Sequence, residues 1–155
     1  MLNFRDFISE AFDSPYSAKM NMNALPDFID YSANTKAGRL VVMIGSNNVR
    51  NDEYQIDFEI NKSNTIMTNA GEATRILGTV LKCVEHALPR IVKENGERPK
   101  RFLIVTNKSK GQEDKRMNVY LKLVARYAAK FGYKQTDFRD IGGVLNQITL
   151  VDMSS

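Results

Sequence analysis

Between Arg39 and Asn61 the apolar positions fall into two patterns, and both belong to extended chain. Residues 39–46, RLVVMIGS, are a compact β-branched run that ends in the polar turn NNVRND. A run of this kind bounded by turn residues predicts a buried strand. EYQIDFEIN then alternates strictly, with Tyr54, Ile56, Phe58 and Ile60 on one side and Gln55, Asp57 and Glu59 on the other. That is the period-2 signature of a half-buried antiparallel strand. The two runs predict a hairpin, and the short NTIMT segment is a candidate extension of it.

The period changes after Gly71. In GEATRILGTVLKCVEHALPRIVKENG the positions Ala73, Ile76, Leu77, Val80, Leu81, Val84, Ala87, Leu88, Ile91 and Val92 recur at three- and four-residue steps. This predicts a long amphipathic helix that Asn95-Gly96 ends. Pro89 lies inside the pattern and is expected to bend the helix or end its regular part. RFLIVT reads as the next buried strand, followed by the polar basic loop NKSKGQED. Residues 115–133 predict a second helix, with Met117, Tyr120, Leu121, Val124, Ala128 and Phe131 inward and Gly132 as its stop. YKQTDFR and NQITLVDM alternate as two closing strands around Gly142-Gly143.

Upstream of Arg39 the pattern is weaker. Leu2, Phe4, Phe7, Ile8 and Phe12 form a short helical stripe, interrupted by Arg5, Asp6, Ser9 and Glu10. The following stretch, SPYSAKMNMNALPDFIDYSANTKAG, has two prolines, many Asn and Ser, and no sustained period. It reads as a linker with one short turn of structure near Leu25–Tyr31. The expected organisation is a detachable segment over 1–10, a linker-like segment over 11–37 and a single domain over 38–155. Its element order is β-β-(β)-α-β-α-β-β. The fold class is therefore α+β, a mostly antiparallel or mixed sheet with two main helices packed on it.

Composition narrows the function. The 155 residues are 43% hydrophobic and 26% charged, the balance of a globular chain that can bury a core. No apolar run approaches the ~20 residues that span a bilayer, so no membrane role is expected. Asp6 and Glu10 interrupt the N-terminal apolar stripe, which argues against a secretory signal. One cysteine and one histidine exclude an internal disulfide and argue against a zinc site built on those ligands. The net charge of +4 is a mild basic bias. Lys108, Lys110, Lys115 and Arg116 concentrate part of it around one loop and the start of the second helix. Lysines beside Gly111, Ser109 and Asn107 suit non-specific phosphate contacts, and a plain solvated face accounts for them equally well.

Acid–base chemistry has few candidates. Glu59 on its strand and Tyr120 or Tyr127 on the second helix are a candidate base and acid for group transfer. The simpler reading is a solvated strand face and core tyrosines, and no catalytic residue is assigned. Cys83 and His86 sit three apart on one helix. A nucleophile pair also needs an orienting partner and an exposed cleft, so the plainer reading is a core cysteine beside a surface histidine.

Two resemblances add to this. Arg75-Ile76-Leu77-Gly78-Thr79-Val80 resembles the R/Q-x-x-G-x-G/A segment of GNAT-type acyltransferases, with Val80 departing from the last small position. The element order is similar to that fold too. The resemblance implies acyl-CoA as cofactor, with Arg75, Gly78 and Thr79 at a helix start where backbone N–H groups meet the pyrophosphate. Without it no cofactor is implied, and Gly78 reads as a close-packing glycine. The second resemblance is in MLNFRDFISEA. Ile8, Ser9 and Glu10, followed by the small Ala11, resemble the cleavage pattern that ends the capsid-targeting leaders of internal head proteins of T-even-type bacteriophages. It implies a prohead core and protease as partners, cleavage after Glu10 and packaging with DNA inside the virion. Delivery to the host cytoplasm follows, where a host protein such as a defence enzyme is the implied target. Losing Arg5, Asp6 and Glu10 would raise the side-chain charge from +4 to +5, which favours retention with packed DNA. The main expectation is this packaged cargo; the alternative is an acyl-CoA-dependent GNAT-like acyltransferase.

Overall fold

A computed structural model of the chain describes residues 14–36, 38–61, 70–107, 114–141 and 145–154. The predicted leader, with Ile8, Glu10 and Ala11, lies outside them, as do NTIMT, Lys108 and Lys110. Among the described residues, seven strands and two helices follow in the order β1 (Lys19–Ala24), β2 (Phe28–Thr35), β3 (Gly38–Ser46), β4 (Glu53–Asn61), α1 (Ala70–Asn95), β5 (Arg101–Asn107), α2 (Asp114–Lys130), β6 (Tyr133–Ile141) and β7 (Leu145–Asp152). They form one sheet of order β1-β2-β3-β4-β5-β7-β6. Every described neighbour pair is antiparallel except β4 and β5, which run parallel. The expected α+β class is therefore observed, with a mixed, mostly antiparallel sheet and two main helices in the expected order.

One correction concerns residues 11–37. Residues 19–24 and 28–35 of the expected linker are sheet: β1 and β2 form a hairpin, and β2 pairs along its whole length with β3, from Phe28↔Gly45 to Thr35↔Gly38. Ile29, Tyr31 and Ala33 point into the core, while all six residues of edge strand β1 are exposed. An exposed edge strand needs no apolar alternation, and this is why KMNMNA gives no periodic signal. The sheet thus begins well before residue 38.

The parallel β4–α1–β5 unit and the β5–α2–β6 connection both advance the same way along the sheet. Right-handed crossovers then place both helices on the same face. That face is the core: Leu40, Val42, Ile44, Tyr54, Ile56, Phe102, Ile104, Ile148 and Leu150 meet Ile76, Val80, Leu81, Val84, Ile91 and Val124 in one buried cluster. The buried positions of α1 are those its three- and four-residue spacing assigns. Pro89 does not end the helix, since α1 continues through it to Asn95. The ring is exposed and removes one main-chain bond, while Leu88 and Ile91 bury themselves on either side of it. Gly96 ends α1 with φ of 80°, its N–H bonded to the Val92 carbonyl at 2.8 Å. Gly132 ends α2 at φ of 90°, and an added Cβ would stand 2.7 Å from Arg98 Nη2. Among the described residues no helix is long and apolar enough to cross a membrane.

Candidate functional site

β4 and β5 are bound tightly at one end only. Arg101 Nε meets Glu53 Oε1 at 3.0 Å, and the Lys100 and Arg101 N–H groups both donate to the Asp52 carbonyl. Parallel pairing runs from Glu53↔Arg101 to Asp57↔Val105 and stops there. β4 nevertheless continues to Asn61 and β5 to Asn107, their outer neighbours still paired: Leu40↔Ile60 and Arg39↔Asn61 on one side, Asn107↔Leu145 on the other. The sheet therefore opens toward the carboxyl ends of its parallel pair. Both strands lead from that end into helices, α1 and α2, and in open sheets this is where ligands bind. Backbone donors and acceptors that no longer pair across the opening need other partners.

The residues carrying the acyltransferase resemblance lie within α1 rather than at its start. α1 begins at Ala70, so Arg75, Gly78 and Thr79 fall in its second and third turns. Their main-chain N–H groups belong to the helical ladder. Gly78 is buried. Arg75 and Thr79 instead clamp the chain entering β1. Arg75 Nε donates to the Ser14 carbonyl at 2.7 Å, and its guanidinium lies 3.7 Å from the centre of the Tyr16 ring. Thr79 Oγ1 accepts the Tyr16 N–H and donates to the Arg75 carbonyl, both at 2.8 Å. Thr79 is fully buried. Replacing it by valine keeps the shape and leaves the Tyr16 N–H without its acceptor, a loss of about 1–3 kcal/mol in urea unfolding.

Glu59 is exposed on β4, just past the last residue paired with β5. Tyr127 is half-buried on α2, its ring edge against Phe131 at 5.9 Å and Lys130 Nζ 5.5 Å from its centre. Lys115 and Arg116 lie in the first turn of α2; the side chains that would complete the basic patch are outside the described residues.

A second concavity lies along α1 next to the Arg75–Thr79 clamp. Segment 16–20 forms one wall, and Lys82, Cys83, His86 and Arg90 form the other, with Tyr31 between them. It encloses about 400 Å³. The Tyr31 hydroxyl lies 2.7 Å from His86 Nδ1, the two rings edge to face with centres 5.4 Å apart. Burial pushes the Tyr31 hydroxyl up to about 12 and the Cys83 thiol up to about 12. Burial and the nearby Arg90 lower His86 from its ordinary value. The histidine therefore has the partner and the cleft that its sequence neighbourhood did not reveal, since Tyr31 is 55 residues away. Cys83 beside it is a protonated core thiol. At pH 8 the single cysteine is expected to react with a disulfide reagent only after denaturant is added, and rapid reaction of the native protein would contradict its burial.

No protein-family model matches the chain, and no curated protein matches it. Among solved structures, the chain is similar to a Bacillus subtilis acetyltransferase in complex with CoA. The two share 12% identity at a TM-score of 0.41, over 88% of this chain and 98% of that one.

Proposed function

We propose that the domain binds acyl-CoA, or CoA itself, in the opening between β4 and β5. The observation that supports this most is the end of parallel pairing at Asp57↔Val105 while both strands continue. A pantetheine arm carries amide groups in an extended chain, and such a chain satisfies free strand edges as an added strand does. α1 starts on the same side of the sheet, and the N–H groups of Ala70, Gly71, Glu72 and Ala73 in its first turn suit a pyrophosphate. In this reading the cofactor's phosphates meet the first turn of α1, while Arg75 and Thr79 position α1 by holding residues 14–16. Calorimetric titration with CoA and acetyl-CoA tests it. Saturable binding at micromolar ligand is expected, and no heat at millimolar ligand would overturn it.

A second reading concerns the chain's route rather than its ligand, and the two are compatible. The leader-like FISEA supports a packaged phage cargo that is trimmed after Glu10, held beside DNA by basic side chains and delivered to a host protein. It is favoured by the position of the clamp: Ser14 and Tyr16 lie beyond Glu10, so a chain beginning at Ala11 keeps both contacts to α1. Co-expression with a T-even-type prohead protease should yield a chain whose mass starts at Ala11, and Glu10→Gln should block the cut. A chain still starting at Met1 or Leu2 would overturn it.

A further inference from the structure

We propose that the groove between segment 16–20 and α1 is a binding site for a small organic anion, a carboxylate or phosphate monoester on a compact apolar body. It lies beside β2, two strands away from the β4–β5 opening, and does not depend on that opening's function. Lys82, His86 and Arg90 are spaced at i, i+4 and i+8, so they share one stripe of α1, and all three line the groove. No aspartate or glutamate lines it. The ion pairs among the described residues are Arg98–Asp152 and Arg101–Glu53, so no described carboxylate pairs with Lys82 or Arg90. One guanidinium N–H of Arg90 donates to the His86 carbonyl at 2.9 Å, which fixes the head group and leaves its other donors available.

The histidine adds a donor. The Tyr31 hydroxyl holds His86 Nδ1 at 2.7 Å and so orients the ring; once a bound anion favours its protonated form, the imidazolium offers N–H donors from both nitrogens. Lys82 and Arg90 offer donors only, and two cationic side chains facing a groove with no carboxylate in its lining favour an anion. The opposite wall is Tyr16, Ser17, Ala18 and Met20, apolar but for the Tyr16 and Ser17 hydroxyls, which suits a largely apolar body. About 400 Å³ is the size of a small-ligand site.

His86 is the chain's one histidine, so its ring Cε1–H gives a single NMR resonance that reports on the groove. Titration with phenyl phosphate and with benzoate should shift that resonance saturably, with a dissociation constant below millimolar for at least one of them. The bound anion should also move the histidine's titration midpoint to higher pH. Phenol, which has the same body without the charge, should produce no saturable shift. In Lys82→Met the affinity should fall about tenfold, and in the Lys82→Met, Arg90→Met double variant binding should be lost while far-UV circular dichroism is unchanged. The proposal is overturned if neither anion binds, if phenol binds equally well, or if the folded variants keep wild-type affinity.

Discussion

Phe102→Ala is expected to destabilise the fold by about 3–5 kcal/mol, the largest loss from any single truncation considered for this chain. Phe102 has no solvent exposure and lies on β5, flanked by β4 and β7. Its register partners are Tyr54 on β4 and Leu150 on β7. Its ring centre is 6.2 Å from that of Tyr54 and 5.1 Å from that of Tyr133. Neither tyrosine is free to collapse into the space, because their hydroxyls donate to the Pro26 and Pro99 carbonyls respectively. Moving either ring inward would break a buried hydrogen bond, so the cavity persists and the cost stays near the upper end. In urea the midpoint should fall with an unchanged slope, and the melting temperature should drop by about 10 °C. Val49→Ala, at a position 99% exposed, should change neither.

Alkaline pH is expected to unfold the protein, and the order of the ionisations gives the window. Burial holds Tyr31 and Cys83 at about 12, against ordinary values of 10.0 and 9.0. It also raises Tyr54 and Tyr133 above 10.0. A group whose folded value is raised contributes stability that is complete below its unfolded value and lost as pH climbs toward the folded one. The loss should start near pH 9, where the unfolded chain begins to release the Cys83 proton, steepen above 10 as the tyrosines join, and continue until Tyr31 and Cys83 ionise in the folded chain near 12, with Tyr133, raised further, still contributing there. Each tenfold disfavoured ionisation is worth about 1.4 kcal/mol, so the groups together remove several kcal/mol from a fold whose net stability is about 5–15 kcal/mol. Urea melts at pH 8, 10 and 11 should show the decline, with cooperative tyrosine ionisation at 295 nm accompanying unfolding. Cys83→Ala should retain a larger share of its pH 8 stability at pH 10 than the unaltered chain. Stability that stays level from pH 8 to 11 would contradict the burial of these groups.

Much of the fold was legible because the relevant periods are local. Tyr54, Ile56 and the alternation around them announced β4, and the stripe from Ile76 to Ile91 announced α1 within a residue or two of its ends. β1 was not legible, for a physical reason: an edge strand with both faces wet carries no apolar code. β2 does alternate, with Ile29, Tyr31 and Ala33 inward, but the run is short and one of its three inward residues is alanine. Pro89 does not end α1, because burial of Leu88 and Ile91 beside it outweighs one lost hydrogen bond.

The sites divide along the same line. Arg75 and Thr79 were visible as a motif, but their partners Ser14 and Tyr16 lie 61 and 63 residues away. No spacing rule connects a helix to a chain entering the far edge of the sheet. Cys83 and His86 were visible as neighbours, whereas Tyr31 and the groove exist only after β2 joins the sheet. The opening between β4 and β5 has no sequence signature, since it is a difference between where two strands pair and where they end.

The most direct test of the proposed site is an amide-resolved NMR titration of the protein with CoA. The account predicts that the changes centre on Phe58, Glu59 and Ile60 of β4, Thr106 and Asn107 of β5, and Ala70–Ala73 in the first turn of α1. Binding that leaves these amides unmoved, or changes confined to the flank around Lys82 and Arg90, would contradict it.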